Sequence, residues 1–254
     1  SGYSSFMDIY ASWARFHMKE YGTTQEQIAK ISVKNHKNSV FNPYAQYQKE
    51  FTLDEVLNAR PITYPLTLPM CSPISDGAAA AIVCSEDVLK KFDAKRAVKV
   101  LSSVIQTGRK RAPEEIDRHI SVLAAKKAYE KAGIGPEDIS VAEVHDATAV
   151  GELIQIENLG FCEFGEGGSL VDSGELNIDG NIPVNPSGGL QSKGHPIGAT
   201  GLAQIFELVT QLRGEAGKRQ VNNPQFAIAE NGGGIIEVEE AVCSITILGK
   251  QSSL

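Results

Sequence analysis

Apolar side chains recur at helical spacing near the start of the chain. The stripe over positions 3–21 consists of Phe6, Ile9, Trp13, Phe16 and Met18. This spacing predicts an amphipathic helix. Thr23, followed three residues later by Glu26, has the spacing of a capping box and predicts the start of a second helix. The segment 38–69 contains four prolines without sustained periodicity, so we expect irregular structure there, with a short helix over 53–59.

From residue 77 onward, short apolar runs alternate with segments of helical periodicity. Strands are predicted over 77–84, 97–106, 140–145, 182–185, 225–229 and 242–248. Helices are predicted from Ser85, from Pro113 to Gly133, over 148–159 and over 199–212. Such alternation is typical of a layered α/β fold. A change near residues 93–97 separates a loop-rich first part, residues 1–96, from a regular second part, residues 97–254.

Composition narrows the classes of protein and partner. The 254 residues are 42% hydrophobic, enough for a sizeable core, and the net charge is −7. The acidic balance gives nucleic-acid binding no support. No apolar run approaches the roughly 18 residues that span a bilayer, and the first residues lack the pattern of a signal peptide. We therefore expect a cytoplasmic protein that contacts neither nucleic acid nor membrane.

The four cysteines show no metal-binding pattern. They are Cys71, Cys84, Cys162 and Cys243, scattered without a CxxC spacing. This distribution argues against a zinc site and against a disulfide-dense secreted fold. No metal and no tightly bound cofactor are expected.

One histidine stands inside a glycine-rich stretch. His195 lies between Gly194 and Pro196, just before the predicted helix 199–212. Glycine lets the backbone turn tightly and approach a ligand, and proline stiffens the turn that presents the imidazole. The partial positive charge of a helix N-terminus suits an oxyanion. A lone loop histidine is commonly structural, but this setting favours a functional site.

Two further segments extend that candidate site. His145 ends the predicted strand 140–145 and Asp146 follows it, at the kind of strand end where α/β folds place ligands. The glycine triplet 232–234 follows another strand, and its backbone N–H groups can point into a cavity as an oxyanion hole does. Taken singly, each segment is also compatible with a structural role. The remaining histidines, His17, His36 and His119, are interpreted as surface residues.

These segments together resemble the thiolase superfamily, and most closely the SCP2-type thiolases. The matching text is Asn-His-Lys-Asn-Ser-Val-Phe-Asn-Pro-Tyr at 35–44, Ser-Asp-Gly-Ala-Ala-Ala-Ala at 75–81, His145-Asp146, and the segments 185–201 and 211–221. The similarity covers essentially the whole chain, and the Gly-His-Pro run at 194–196 is highly specific.

The resemblance implies a layered αβαβα fold built from two similar βαβαβαββ halves. In the family a loop domain is inserted in the first half. By this similarity the chain holds the loop domain and the last strand and helix of the N-terminal half in residues 1–96. Residues 97–254 then form the complete C-terminal half.

The resemblance also implies a chemistry. Thiolases transfer an acyl group from coenzyme A through a cysteine, in thiolysis of 3-oxoacyl-CoA or in the reverse Claisen condensation. His195 matches the histidine that binds the thioester oxygen and assists the nucleophile, and His145 matches the position that holds a catalytic water. Gly233 matches a backbone donor of the second oxyanion hole. The residues Met18, Ser72 and Ile74 fall where the family lines its coenzyme A cleft.

Two departures from the family pattern bear on activity. The nucleophilic cysteine of the family belongs to the first half, upstream of this sequence. The acid/base cysteine is also missing, because Asn231 and Ala147 stand at the two positions where relatives place it. Glu230, Asp146 or a water molecule are the candidates for its role.

Three functions therefore stay open. The first is an SCP2-type acyl-CoA thiolase whose nucleophile comes from a missing N-terminal portion or a separate subunit. The second is a catalytically deficient acyl-CoA-binding or scaffold subunit, with a small zinc-ribbon/OB-fold protein as a possible partner. The third is an aldolase that acts on a coenzyme A thioester; it ranks last because such relatives tend to replace the site histidines by tyrosine. In each case we expect a homo- or hetero-oligomer.

Overall fold

The computed structural model describes residues 5–92, 94–237 and 239–251. The helices are α1 Ser5–Tyr21, α2 Gln25–Ser39, α3 Leu53–Leu57, α4 Glu86–Leu89, α5 Ile120–Ala132, α6 Ala149–Asn158, α7 Gly167–Ser173, α8 Gly189–Lys193 and α9 Thr200–Leu212. The strands are β1 Pro61–Thr63, β2 Leu66–Thr67, β3 Val98–Thr107, β4 Val141–Glu143, β5 Phe226–Gly233 and β6 Val242–Lys250. Within these described ranges, no helix has the length and apolar character needed to cross a bilayer.

Four strands form one mixed sheet in the order β3-β6-β5-β4. Strand β6 runs antiparallel to both of its neighbours, whereas β4 and β5 are parallel. Beyond β4, a single parallel bridge from Ala142 to Val184 continues the sheet. The strand predicted over 182–185 is reduced to this bridge. The predicted layered α/β class is confirmed.

Side-chain alternation along the strands builds a core on each face of the sheet. Ala142, Ile228 and Ile247 point to one face, where they pack with α5 and α6. Their neighbours point to the other face and pack with Leu208 and Leu212 of α9. This period of two is the geometry of a strand buried on both sides. A separate apolar cluster joins α1, α2 and α6.

The segment predicted as a strand over 77–84 is not a strand. It has no hydrogen-bonded neighbour in the described structure, and the side chains of Ile82 and Val83 are 92% and 80% exposed. A strand needs a partner to satisfy its backbone groups, and apolar composition alone cannot supply one. The helix predicted from Ser85 is the short α4, with Ser85 at its N-cap.

Two helix starts differ from prediction. Helix α2 is capped by Thr24, whose side chain accepts from the Gln27 backbone in a capping box displaced by one residue. Thr23 instead contacts His17 across 2.8 Å. The helix predicted from Pro113 begins at α5, after a 3-10 turn over 116–118, and ends as predicted at Gly133 with φ +73°.

The three histidines interpreted as surface residues are buried, so that interpretation was wrong. His17 contacts Glu157 at 3.0 Å, and His119 lies at the N-cap of α5. His36 lies 3.2 Å from the Pro69 carbonyl. Each imidazole finds a polar partner supplied by another element or by the next turn, which a pattern of neighbouring residues does not show.

Candidate active site

The imidazoles of His145 and His195 meet although fifty positions separate them along the chain. Their ring centroids are 5.1 Å apart and the rings are nearly perpendicular, at 82°. His145 follows β4 at the carboxyl end of the strand, and His195 lies in the loop between α8 and α9. The proximity expected from the sequence is therefore observed.

His195 is held in one tautomer by the helix that follows it. Its Nδ1 lies 2.8 Å from Thr200 Oγ1, and that hydroxyl donates in turn to the Pro196 carbonyl at 3.1 Å. When the hydroxyl donates to the carbonyl, Thr200 accepts from Nδ1–H, and the tautomer favoured by this arrangement has its lone pair on Nε2. Burial, and then the charge of Lys193, lower the pKa of His195. The ring is neutral near pH 7 and can accept a proton.

His145 is neutral as well. Burial, and then His195, lower its pKa to about 3. Its backbone N–H donates to Glu230 Oε2 at 2.9 Å, while the buried Nδ1 has no hydrogen-bond partner in the part of the chain described. An unsatisfied polar atom in such a position is costly unless a water or a ligand meets it.

Residues 71–75, the crossing segment, connect the two histidine loops. Ser72 donates its backbone N–H to the Ala147 carbonyl at 2.9 Å. At the other end, Ile74 forms a parallel bridge with His195, and its side chain is fully exposed at 100%. The structure thus brings Ser72 and Ile74 to the histidine pair.

Gly233 and Met18 belong to other elements of the fold, β5 and α1. Gly233 is the last residue of β5 and pairs with Val242 of β6; it is exposed, and a Cβ built on it would meet nothing within 4 Å. Met18 is partly buried on α1 and packs against the apolar cluster of α1, α2 and α6. Their assigned roles stay predictions.

Two carboxyls, Asp146 and Glu230, are candidates for the missing acid/base group, and both already accept hydrogen bonds from backbone N–H groups. Asp146 accepts from the Leu190 N–H at 2.7 Å, from Gln191 at 2.9 Å and from Asn35 at 3.0 Å. Burial raises the pKa of Asp146 well above its usual range. Burial, and then Glu240, raise the pKa of Glu230 to about 8. Neither carboxyl is exposed.

Three of the four cysteines are poor nucleophiles where they lie. Burial raises the pKa of Cys71 and of Cys162 to about 12. It also raises that of Cys243, whose Sγ lies 3.6 Å from Glu230. A thiol with a raised pKa supplies little thiolate. The fourth, Cys84, is exposed on the unpaired segment 77–84.

An open cleft of about 550 Å³ adjoins His195. Its walls include Gly194 and Pro196 on either side of the histidine, the small residues 77–80, and the exposed face of α9 at Phe206. Lys193, Asp76 and Glu207 are the charged residues of this lining, and Lys193 Nζ lies 3.4 Å from Glu143. The cleft is mostly apolar with a few polar groups, a composition common among binding sites.

Sequence reasoning missed the residues that hold the histidines. Thr200 was assigned only to a helix, although its place five residues after His195 on a helix N-terminus signals a side chain able to reach back. Ser75 accepts the His195 backbone N–H at 3.2 Å. Its only sequence signal was membership of the Ser-Asp-Gly motif at 75–77.

Comparison with known proteins agrees with this fold. Residues 111–249 match the family described as thiolase C-terminal domain-like. The chain is 49% identical to sterol carrier protein 2 of Oryctolagus cuniculus over 230 residues, covering 88% of this chain and 42% of that protein. It is 47% identical to an acetyl-CoA acetyltransferase of Methanothermobacter thermautotrophicus, covering 91% of this chain and 61% of that one.

Among solved structures, the Ltp2-ChsH2(DUF35) aldolase superimposes with a TM-score of 0.84 and 26% identity, over 100% of this chain and 65% of that chain. The chain therefore spans between two fifths and two thirds of the length of these relatives. The family match, the layered sheet and the paired histidines in the matching motifs together show that this chain belongs to the thiolase family.

Proposed function

We propose that this chain carries the two-histidine part of an SCP2-type acyl-CoA acyltransferase site, acting in thiolysis of 3-oxoacyl-CoA or in the reverse condensation. The observation that carries the proposal is the pair of neutral imidazoles, 5.1 Å apart, with the two chain neighbours of His195 lining an open cleft. A neutral imidazole can accept a proton, and the N–H that it then carries can stabilise the charge that develops on a thioester oxygen.

His195 has the state required of a general base. With Nδ1–H engaged by Thr200, Nε2 accepts the proton of an incoming thiol, which leaves a thiolate to attack the thioester carbon. The imidazolium then offers Nε2–H to the oxygen on which negative charge develops. His145, with its unpartnered Nδ1, binds a water or the same oxygen from a second direction.

The nucleophilic thiol comes, on this proposal, from an N-terminal thiolase portion in the same or another polypeptide. Support comes from the raised pKa values of Cys71, Cys162 and Cys243. Exposed apolar side chains supply further support, because Ile82 is 92% and Ile197 82% exposed, and apolar side chains left in water favour association.

An aldolase acting on a coenzyme A thioester is the second candidate. The observation in its favour is the overlap with the Ltp2-ChsH2(DUF35) aldolase along the whole chain. That protein's name pairs two components, which also fits a hetero-oligomer here. Both site histidines, His145 and His195, are present in this chain, and their presence favours acyl transfer over the aldolase reaction.

The test uses the intact protein with its partner portion, acetoacetyl-CoA and coenzyme A. Thiolysis removes the enolate absorbance of the substrate, and we expect His195→Ala to lower kcat at least 100-fold, because general base catalysis contributes on the order of 10² to 10⁴. Glu130→Gln, exposed on α5, is the control. Coenzyme A binding without thiolysis supports a scaffold instead, and cleavage of a 3-hydroxyacyl-CoA supports the aldolase.

A further inference from the structure

Ser75 connects the His195 loop to the loop-rich part of the molecule. Its Oγ accepts the His195 backbone N–H at 3.2 Å and donates to Gln46 Oε1. Gln46 in turn donates its own backbone N–H to the Lys193 carbonyl at 2.9 Å. One hydroxyl therefore lies at the junction of three segments.

The loop is built around that hydroxyl. Gly194 has φ +113°, and a Cβ added there would lie 2.7 Å from Ser75 Oγ. Next to it, Tyr47 donates its backbone N–H to the Ser192 carbonyl at 3.0 Å. The backbone before the histidine is thus fixed on one side by residues 46–47 and on the other by the crossing segment.

We propose that Ser75 is a positioning residue for His195, with Gln46 as its orienting partner. The inference rests on the function proposed above but concerns a residue that the acyl-transfer scheme leaves without a role. Ser75 does not touch the imidazole. It fixes the backbone from which the ring projects, while Thr200 fixes the ring itself.

The crossing segment gives this contact a further consequence. At residues 71–72 it is bonded to the loop that follows His145, and at residues 74–75 it is bonded to His195. The crossing segment is therefore one of two connections between the histidine loops, the other being the bonds that Asp146 accepts from Leu190 and Gln191. Loss of the Ser75 hydroxyl frees one end of the crossing segment, and a misplaced catalytic group loses rate steeply.

The experiment compares Ser75→Ala, Ser75→Thr and the exposed β3 variant Ser103→Ala in the intact protein. For Ser75→Ala we expect kcat to fall about tenfold with KM unchanged, the size of effect that one lost hydrogen bond gives. NMR titration should show the pKa of His195 rising toward its ordinary value, because a looser loop admits water. Ser75→Thr should restore both quantities, and Ser103→Ala should change neither.

A wild-type rate together with a wild-type His195 titration in Ser75→Ala overturns the proposal, even if the melting temperature falls. Should Ser75→Ala fail to fold, Gln46→Ala at the exposed end of the pair is expected to shift the titration in the same direction, and an unchanged titration there also overturns it. The titration does not depend on turnover. If the wild type shows no thiolysis, the proposed function fails while this test still stands.

Discussion

Thr200 gives His195 its chemical character. A hydroxyl that both accepts from Nδ1–H and donates to a carbonyl selects one of two tautomers of nearly equal energy. The selected tautomer leaves the base lone pair on Nε2. A single residue at the start of a helix thus decides whether the imidazole can take a proton.

Replacement of this hydroxyl should cost activity rather than stability. We expect Thr200→Val to lower kcat about tenfold, because the Nδ1–H acceptor is lost, and ¹⁵N NMR should show mixed tautomers at His195. Thr210→Val is the matched control, since Thr210 lies on the same helix and also donates to a carbonyl four residues earlier, at 2.7 Å. Equal losses of rate in both variants would contradict the assignment.

Glu230 should make stability depend on pH. Its pKa is raised by burial to about 8. At pH values between the ordinary pKa of a glutamate and about 8, the carboxyl is therefore protonated in the folded protein and ionised in the unfolded chain. Stability contributed by this group is therefore lost as pH rises toward 8. We expect Glu230→Gln to gain about 3 kcal/mol relative to wild type between pH 6 and 9, from about 1.4 kcal/mol for each of the two pH units below a pKa of about 8.

Urea unfolding at the two pH values measures this difference. Glu130→Gln, exposed on α5, should show no such gain. A constant difference between Glu230→Gln and wild type at both pH values would show that the carboxyl is not protonated in the folded protein.

The histidine pair could be anticipated from the sequence, because glycine and proline around His195 and the strand before His145 are local signals. Their partners could not be. Ser75 lies 120 positions from His195 along the chain, and no periodicity links residues so distant. The same limit explains His17, whose partner Glu157 lies 140 positions away and makes it a buried residue.

At the scale of elements, the loop between α8 and α9 carries the site. Helix α8 has five residues, too short for a periodicity signal, and went unpredicted for that reason. Its start depends on Asp146, which accepts the Leu190 N–H at 2.7 Å. The loop is therefore held by distant side chains more than by its own propensity.

Gly194 is the position where this loop tolerates a side chain least. We expect Gly194→Ala to destabilise the protein by more than the roughly 1–2 kcal/mol of a positive-φ alanine, because its Cβ would lie 2.7 Å from Ser75 Oγ. Gly214→Ala is the reference for a left-handed glycine without contacts, since Gly214 has φ +74° with nothing within 4 Å, whereas φ +113° and ψ 162° put Gly194 in a region that glycine alone occupies readily. Thermal unfolding measures the loss of stability in each variant. Equal losses would show that the contact between the new Cβ and Ser75 Oγ does not matter.

The strands illustrate which elements a sequence can predict. Strands β3, β5 and β6 were predicted within a few residues of their bounds, except that β5 continues to Gly233. Each has an intrinsic apolar pattern and a neighbour within this chain. The segment 77–84 has the apolar pattern of a strand but no neighbouring strand in the described structure, and it is unpaired. The local apolar pattern predicts that a segment can be extended, but a hydrogen-bonded neighbour is needed for it to form a strand.

At the scale of the whole molecule, apolar side chains left exposed in that same segment predict association. We expect the Ile82→Asp, Val83→Asp double variant to reduce self-association and dye binding of this chain, measured by sedimentation and ANS fluorescence, because charge weakens an apolar contact. The control Ile105→Asp changes a side chain of similar exposure, 72%, on β3. Equal effects from both would mean that exposure alone, and not this segment, drives association.

The pairing of β3 with β6 has a consequence for synthesis. Thr107 is joined to Val242, so the earliest strand of the sheet leaves the ribosome long before its neighbour exists. Contacts that distant raise the entropic cost of closure and slow folding. Until the last strand emerges, the nascent polypeptide holds an unsatisfied strand edge, and chaperone capture during that interval should determine its yield in the cell.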